Sequence, residues 1–545
     1  MKYNSNNRWR RTNTMMKMLC TAFFILQSLF FISCNDYLDI YPENVQPTDE
    51  YWGSKEEVDA TLMAGYYYLR ESVEDYLIPW GELRAGCVSW RGSNTLQRFE
   101  IKPSDKRLSK WAPMYKIINA ANLVLKNAGK ALDNDDTYTQ EEMNSHHCEA
   151  YWQRALAYFY IVRNWRDAPL ITEPFETDEL TFNVAKSGEA EIIAQIKSDL
   201  RTAIEMNAAK EKFNTTWETK GRATKWAILA LMTDVCLWNQ DFDEAITYAD
   251  AILNSTSPSS PRFMSTPTHS SWFSMFNPGN SNESIFEVQW SYEKLSMGSP
   301  QTNNLTNYFD PSLTGYKYQF STQMLDEFRN DYRSLREKFR VWDHEYGGRT
   351  MYGSFVTELS NVDAYENATS AYVWKYYGGT SYNTKRLTVQ DYDCNYIIYR
   401  VADVMLMKAE ALVMRKLGKD EADNQAAIDI INQIRKRTNL DETNEVNSHS
   451  SLTELMQKGI LRERLMELAG EGKAWYDMLR MGRYTDPSGN TDFKAMFINN
   501  VTTYNKGANE SWIRSVLSNE NAWYLPVNET EITTNDLLEQ NPYYL

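Results

Sequence analysis

The stretch CEAYWQRALAYFYIVRNW, residues 148–165, carries the fold prediction for this chain. Tyr151, Ala155, Tyr158 and Val162 recur at helical spacing, so they share one face of a helix. A proline four residues after the stretch ends the pattern, because proline cannot continue a helix. The stretch therefore predicts a helix that packs through an apolar face.

Similar spacing recurs along the chain and predicts a mainly α-helical protein. Residues 191–206 repeat the apolar pattern, and residues 221–253 predict two helices joined by a short polar turn at 239–241. The second of these helices resembles the second half of a tetratricopeptide repeat. Residues 399–438 predict another such pair. Because no strict repeat period connects the pairs, we expect divergent helix pairs and not a regular array.

Two long segments between the helix pairs differ in composition. Residues 255–320 and 342–395 are rich in Ser, Thr, Asn, Pro and Gly with interleaved aromatic residues. Only 282–290 and 370–377 read there as short strands. Long segments without helices are usually functional when they are ordered. The sequence thus predicts a helical scaffold that carries a loop-rich face with a few short strands.

The N-terminus has the order of an export signal. Basic residues precede an uncharged, mostly apolar run over 18–32, which is shorter than the roughly 20 residues of a permanent membrane span. Ser33 and Cys34 follow, and the chain turns polar at once. This order resembles the lipobox of bacterial lipoproteins, and it predicts a signal peptide over 1–33 with a lipid on Cys34. A plain signal peptide with a chance cysteine is the alternative, and translation from Met15 or Met16 instead of Met1 also stays open.

Charge and cysteine content exclude several classes of protein. The formal net charge is −16, and it becomes −21 without residues 1–33, which hold five basic residues and no acidic one. A body this acidic repels phosphate backbones, so nucleic acid is not an expected partner. The cysteines are scattered without a CxxC pair, which argues against a disulfide framework or a zinc site.

Eight segments, in order, resemble the SusD/RagB family of outer-membrane lipoproteins of Bacteroidetes. The resemblance runs from the cysteine at position 34 to the C-terminus. Departures such as Val401, Lys473 and Tyr543 affect expected local packing but not the resemblance itself. The segments are CNDYLDIYPEN (34–44), EAYWQRALAYFYIVRNWRDAPLI (149–171), GRATKWAILALMTDVCLW (221–238), NESIFEVQW (282–290), YRVADVMLMKAEAL (399–412), INQIRKRT (431–438), ILRERLMELAGEGKAWYDMLRMG (460–482) and WYLPVNETEITTNDLLEQNPYYL (523–545).

The resemblance implies a SusD-like fold of tetratricopeptide-like helix pairs with a variable, loop-rich face. It implies an N-terminal region over 34–254 and a C-terminal region over 255–545, packed as one globular unit. It also implies a role at the outer membrane, facing outward. There the protein is expected to capture an oligosaccharide or polysaccharide and deliver it to a TonB-dependent, SusC-like barrel, without catalysis and without a cofactor.

Residues that suggest catalysis or metal binding fit a structural role better. Glu463, Glu467 and Glu471 repeat every four residues on one helix face and would repel one another, so the nearby arginines predict a structural network of ion pairs. His146 and His147 are adjacent and point in different directions, which does not suit a shared metal ion. No nucleophile motif or phosphate-binding glycine loop occurs.

Aromatic and polar side chains in the glycine-containing segment 79–94, in the segment 289–309 and just beyond it are the candidate ligand-binding residues. Sugar rings stack on indole and phenol rings, and their hydroxyls bond to planar donors and acceptors. Core packing is the competing interpretation for each ring; it is equally favoured for Trp290, whereas the glycine-rich context of Trp90 favours binding. The predicted set is Trp80, Arg84, Trp90, Arg91, Asn94, Trp290, Tyr292, Tyr308 and Tyr316.

The sequence leaves the class of ligand open. A glycan is the leading prediction, and a peptide or glycopeptide captured by the same scaffold is the alternative. A glycosidase that uses two carboxylates is a weaker third hypothesis, since nothing in the sequence singles out two carboxylates.

Overall fold

The computed structural model describes residues 51–90, 95–105, 108–176, 183–291, 304–309, 318–339, 373–377, 393–506 and 509–545. Residues Ser54–Leu545 form a single compact unit. Cys34 and the predicted signal peptide lie outside the described residues, and the division at 254/255 stays a prediction. Among the described residues, none of the helices combines the length and the hydropathy of a membrane span.

The described part of the chain is mainly helical, as predicted. The α-helices are α1 (Lys55–Ser72), α2 (Ala112–Asn134), α3 (Gln140–Trp165), α4 (Glu189–Met206), α5 (Thr216–Gly221), α6 (Lys225–Trp238), α7 (Phe242–Leu253), α8 (His269–Phe273), α9 (Leu305–Tyr308), α10 (Thr322–Phe339), α11 (Trp374–Tyr377), α12 (Val401–Arg415), α13 (Glu421–Arg437), α14 (Leu452–Glu454), α15 (Arg462–Glu467), α16 (Ala474–Gly482), α17 (Phe493–Tyr504), α18 (Glu510–Leu517) and α19 (Glu529–Thr534). Segments of π-helix cover Val73–Leu77, Pro79–Leu83 and Leu455–Leu461, and 3₁₀ turns cover Glu520–Trp523 and Pro542–Tyr544.

Helix α3 contains the opening stretch and lies at the centre of the N-terminal half. It begins with a reciprocal capping box between Thr139 and Glu142, which satisfies backbone amides that a helix start leaves unpaired. It ends at Arg166, whose φ of 67° breaks the helical geometry. From Cys148 to Trp165 almost every residue is buried, on all sides of the helix. The predicted apolar face was therefore too narrow, because α3 is covered by α2, α4 and α6 together.

The two predicted helix pairs are both confirmed. Helices α6 and α7 form the first pair across the turn at 239–241, and α12 and α13 form the second. The pairs meet through α7 and α12, where the Lys408 ammonium lies 2.6 Å from a carboxylate oxygen of Asp250. This contact connects a helix pair of the N-terminal region of the sequence to one of the C-terminal region.

Short antiparallel strands pair segments that are distant in sequence. The sheets are two-stranded and consist of β1 (Val88–Trp90) with β5 (Tyr318–Phe320), β2 (Ala168–Pro169) with β3 (Lys186–Ser187), and β4 (Ser284–Val288) with β6 (Tyr396–Arg400). The strand predicted over 282–290 corresponds to β4. The strand predicted over 370–377 is wrong for its described part, which forms the helical turn α11. That turn directs the Lys375 ammonium to within 2.5 Å of Glu471, a buried ion pair that local sequence does not reveal.

A fully buried guanidinium at the end of β6 joins several distant segments. Arg400 lies 3.1 Å from Glu283, 2.7 Å from Glu467 and 2.9 Å from Glu471, and its exposed fraction is 1%. Glu283 precedes β4, Glu467 ends α15, and Glu471 lies in the turn before α16. Removing one partner from such a buried cluster typically destabilises a protein by about 3–5 kcal/mol, because the remaining charge is left unpaired.

Two further cations balance the three carboxylates around Arg400. Arg437, at the end of α13, pairs with Glu283 at 2.6 Å and also with Glu467. Lys375 pairs with Glu471 and donates to the Glu467 carbonyl at 3.0 Å. The cluster thus contains three cations and three anions, so its formal charges cancel inside the core.

A second buried network accompanies the first and confirms the structural interpretation of the repeated charges. Arg464 lies 2.9 Å from both Asp403 and Asp477, and the Lys473 ammonium lies 3.0 Å from Asp403. Although burial alone would raise the pKa of Asp403, Lys473 and Arg464 lower it to about 2. The network continues through the pairs Arg480–Glu410 and Arg480–Asp477.

A close approach of two backbones connects the Pro79–Leu83 segment to the turn before α16. A side chain at Gly81 would lie 2.1 Å from the Gly472 carbonyl oxygen, and Gly472 itself has a φ of +73°. Both positions therefore require glycine. The Gly472 amide donates to Glu82 Oε1 at 2.7 Å, and burial raises the pKa of Glu82 to about 8. The folded protein therefore holds Glu82 protonated near neutral pH.

Glu82→Gln is expected to alter the pH dependence of stability. The unfolded chain releases the Glu82 proton near its ordinary pKa of about 4.5, whereas the folded chain retains it to about pH 8. The raised pKa of Glu82 therefore stabilises the folded chain fully below about pH 4.5. This stabilisation is lost as the pH rises towards 8. The side-chain carbonyl of a glutamine can still accept from the Gly472 amide, but a glutamine has no titratable proton.

Chemical denaturation of both proteins between pH 5 and pH 8 tests this expectation. The free energy of unfolding of Glu82→Gln should improve relative to the wild type as pH rises. Glu100→Gln, at an exposed position in the next segment, serves as the control and should follow the wild type. Parallel curves for Glu82→Gln and wild type would contradict a protonated Glu82.

Candidate ligand-binding surface

The β1–β5 pair places Trp90 at the border between the core and the surface. Val88 lies opposite Phe320, and Trp90 lies opposite Tyr318, two residues further along the same face. Val88, Phe320 and Tyr318 are buried, whereas Trp90 is only partly buried and packs against the core from outside. One end of the pair is therefore anchored in the core, and the other end presents part of an indole ring.

Tyr308 adjoins the same surface from α9. Its ring meets the ring of Tyr318 edge to face, with the centroids 5.8 Å apart. Tyr308 is also partly buried and packs against the core. Trp90 and Tyr308 are therefore both neighbours of Tyr318, although 218 positions separate these two predicted residues in the sequence.

Hydrogen bonds fix the position of α9 on this surface. The Asn304 backbone amide and side-chain amide donate to the two carboxylate oxygens of Glu74, at 2.6 and 3.2 Å. The Thr306 hydroxyl donates to the Tyr376 carbonyl at 2.9 Å. The helical turn that carries Tyr308 is thus held at both its exposed and its buried side.

Trp80 and Arg84 were predicted to contact a ligand, but both side chains are buried in the core. The Trp80 indole N–H donates to the Leu108 carbonyl at 3.1 Å. The Arg84 guanidinium donates to the Trp523 carbonyl and to Asn164 Oδ1, and each residue is 1% exposed. Neither presents a surface to a ligand. Gly81 instead allows the π-helical segment Pro79–Leu83 to pack closely against Gly472.

Trp290 also belongs to the core in this structure. It is 8% exposed, and its backbone amide donates to Asn395 Oδ1 at 3.3 Å. This placement favours core packing over ligand contact. Of the other predicted residues, Arg91, Asn94, Tyr292 and Tyr316 lie outside the described residues, and their roles stay predictions.

Among the described residues, one group of side chains has a geometry that could hold a metal ion, and a lysine ammonium lies against it. Cys236, Asp241 and Glu244 lie close enough together to hold an ion. The Lys197 ammonium, however, lies 2.6 Å from Asp241 and 3.0 Å from Glu244. Burial also raises the pKa of the Cys236 thiol, which disfavours the thiolate that a metal requires. Lys197 supplies the positive charge that these carboxylates need.

Trp512 is an exposed indole that the sequence did not single out. It lies in α18 with 44% of its surface exposed, and its indole N–H donates to the Arg98 carbonyl at 2.9 Å. In the sequence, Trp512 stands one helical turn before Val516, which is buried. Its position therefore fits an apolar helix face as well as a surface role, and the pattern alone could not distinguish the two.

Two family models match the chain. The model for the SusD family matches residues 282–544, and a model described as starch-binding associating with outer membrane matches residues 36–237. Among curated relatives, a SusD-like protein of Formosa agariphila is 24% identical over 514 residues, covering 87% of this chain and 93% of its own length. A SusD-like protein of Bacteroides ovatus is 25% identical and covers 84% of this chain and 81% of its own length.

Solved structures share the fold of this chain. A SusD superfamily protein of Bacteroides fragilis has a TM-score of 0.67 at 20% identity, covering 91% of this chain and all of its own. A laminarin-binding SusD-like protein has a TM-score of 0.61 at 23% identity, covering 90% of this chain and 99% of its own.

The helix pairs, the short strands and the two matched models define a class of mainly helical proteins that associate with the outer membrane. Within that class, the chain belongs to the SusD/RagB family. The predicted family and the predicted SusD-like fold are both confirmed.

Proposed function

We propose that this protein is a surface lipoprotein that binds a neutral oligosaccharide or polysaccharide and delivers it to a TonB-dependent barrel. The partly exposed aromatic pair of Trp90 and Tyr308 around Tyr318 is the observation that carries the proposal. The family description as starch-binding and the similarity to a laminarin-binding protein support a glycan as the ligand class.

The chemistry of sugars suits this aromatic pair. The C–H face of a pyranose ring is apolar and stacks on an indole or phenol, while its hydroxyls need polar partners nearby. Arg98 is exposed and offers such a partner. It follows Gln97, whose side-chain oxygen accepts a hydrogen bond from the Trp90 backbone amide. A neutral glycan also avoids the repulsion that a strongly acidic body exerts on anionic ligands.

A peptide or glycopeptide remains the alternative ligand. The acidic body would favour basic peptides, but no contact among the described residues selects a peptide backbone over a sugar. Binding of oligopeptides is therefore an outcome that the experiment below distinguishes.

Absence of catalysis is part of the proposal. The carboxylates that suggested acid–base chemistry, Glu467 and Glu471, pair with Arg400 in the core, and both are 3% exposed or less. A glycosidase needs two carboxylates that face the scissile bond. Glu467 and Glu471 do not meet that requirement, which supports a binding role. Turnover of a bound glycan would refute it.

Trp90→Ala is expected to weaken glycan binding with little loss of stability. Stacking on an aromatic ring contributes about 1 kcal/mol, so affinity should fall roughly three- to tenfold. Trp80→Ala is the matched control, because it removes a core indole and should cost about 3–5 kcal/mol of stability.

Isothermal titration against starch, laminarin, xylan, galactomannan and a set of oligopeptides measures the affinities, and thermal melting measures stability. A polysaccharide should bind the wild type and bind Trp90→Ala more weakly. Binding of peptides alone, or unchanged affinity of Trp90→Ala for the bound polysaccharide, would contradict the proposed site.

Cys34→Ala is expected to release the protein from the outer membrane. The thiol of Cys34 is the proposed attachment point of the lipid, on the basis of the signal that precedes it. Metabolic labelling with palmitate and membrane fractionation compare the variant with wild type, and Cys20→Ala serves as control. Labelling that persists in Cys34→Ala would contradict the anchor.

Extraction in mild detergent is expected to recover a TonB-dependent, SusC-like barrel with the protein. A lipid anchor holds the protein at the membrane but gives the captured ligand no route inward, so a transporter must accept the ligand. The extraction should use cells grown on the polysaccharide that binds in titration. Recovery of the protein alone under these conditions would count against the partnership.

A further inference from the structure

We propose that Trp512 is a second sugar-stacking residue and that the ligand is an extended glycan chain which contacts Trp90 and Trp512 together. This inference rests on the proposed function and deepens it by stating the length class of the ligand. It also assigns a binding role to α18, a helix near the C-terminus that the predicted set of residues does not include.

Trp512 has the exposure and the fixed orientation of a stacking platform. It is 44% exposed, although its neighbours Ile513, Val516 and Leu517 are buried. Its indole N–H is bonded to the Arg98 carbonyl at 2.9 Å. Because this bond orients the ring in the free protein, a ligand would lose little entropy in ordering it.

One tight turn bonds to the backbone of Trp90 and to the indole of Trp512. In the turn over 95–100, the Glu100 amide donates to the Thr95 carbonyl at 2.8 Å. The Gln97 side-chain oxygen accepts from the Trp90 amide at 3.4 Å, and the next residue accepts from Trp512. Consecutive residues of one turn therefore bond to Trp90 and to Trp512.

The turn is anchored in the core, which limits movement between the indoles. Leu96 is 1% exposed and Phe99 is 4% exposed, and the Phe99 ring lies 6.0 Å from that of Trp475. Phe99 keeps a φ of +56°, a left-handed conformation that a bulky residue adopts only when its surroundings impose it. Arg98, between these anchors, is exposed, and its backbone carbonyl accepts from the Trp512 indole.

This arrangement fits a chain better than a single sugar. Two rings on a rigid support can each stack on one sugar of the same molecule, and the second contact is then intramolecular. The exposed Arg98 provides hydrogen-bond donors for hydroxyls on the way between them. A ligand that contacts only one ring gains nothing from the other, whereas a chain long enough to reach both gains from each.

The test compares ligand lengths on full-length Trp512→Ala. We expect roughly three- to tenfold weaker binding of whichever polysaccharide of the titration panel binds the wild type. Binding of a disaccharide or trisaccharide made from that polysaccharide should change by less than about twofold. Trp512→Phe, which keeps a ring face but loses the N–H, should retain most of the affinity for the long chain.

The controls separate a stacking role of Trp512 from a structural one. Trp217→Ala removes a comparably exposed indole, 38% exposed, from α5 and should leave binding unchanged. A large fall in melting temperature of Trp512→Ala, with equal loss for short and long ligands, would make Trp512 a structural residue and overturn the inference. Unchanged long-chain affinity in Trp512→Ala, with weakened binding in Trp90→Ala, would overturn the inference but leave the proposed function intact. No binding of any polysaccharide to wild type would refute both.

Discussion

The buried guanidinium of Arg400 is the interaction on which the architecture depends. Placing charges inside a protein is costly unless each finds partners, and Arg400 finds its partners on segments at least 67 positions away in either direction. A structure that separated these segments would leave several charges unpaired in the core. The network therefore favours one arrangement of the C-terminal helices over alternatives of similar apolar packing.

The aromatic residues of this protein serve mainly its core. Trp80, Trp152, Trp238, Trp272 and Trp475 are all nearly inaccessible. Their indole N–H groups reach backbone carbonyls or carboxylates in several cases, as with Trp152 and the Ala227 carbonyl at 3.1 Å. Abundant tryptophan is thus not by itself a sign of sugar binding here. Exposure and orientation, and not residue type, separate Trp90 and Trp512 from the core rings.

The proposed binding surface depends on the rigid scaffold beneath it. Strand β1 follows directly from the π-helical segment that packs against the turn before α16 through Gly81 and Gly472. The position of Trp90 is thereby coupled to the C-terminal region, and Trp512 is coupled to the same surface through Arg98. In the proposed surface, residues from both halves of the sequence take part because the core joins the halves.

The sequence alone determined the helical class, the two helix pairs, the family and the structural nature of the repeated charges around Glu467. These features follow from local periodicity and from motifs, which depend on neighbours in the chain. Only the tertiary structure decided which rings are buried, since Trp80 and Trp90 lie in similar glycine-rich sequence but on opposite sides of the core boundary. The described part of the predicted strand over 370–377 is a helical turn in the tertiary structure. The exposure of Trp512 was also visible only there. Burial and long-range pairing depend on residues hundreds of positions apart, and no local pattern encodes which of them meet.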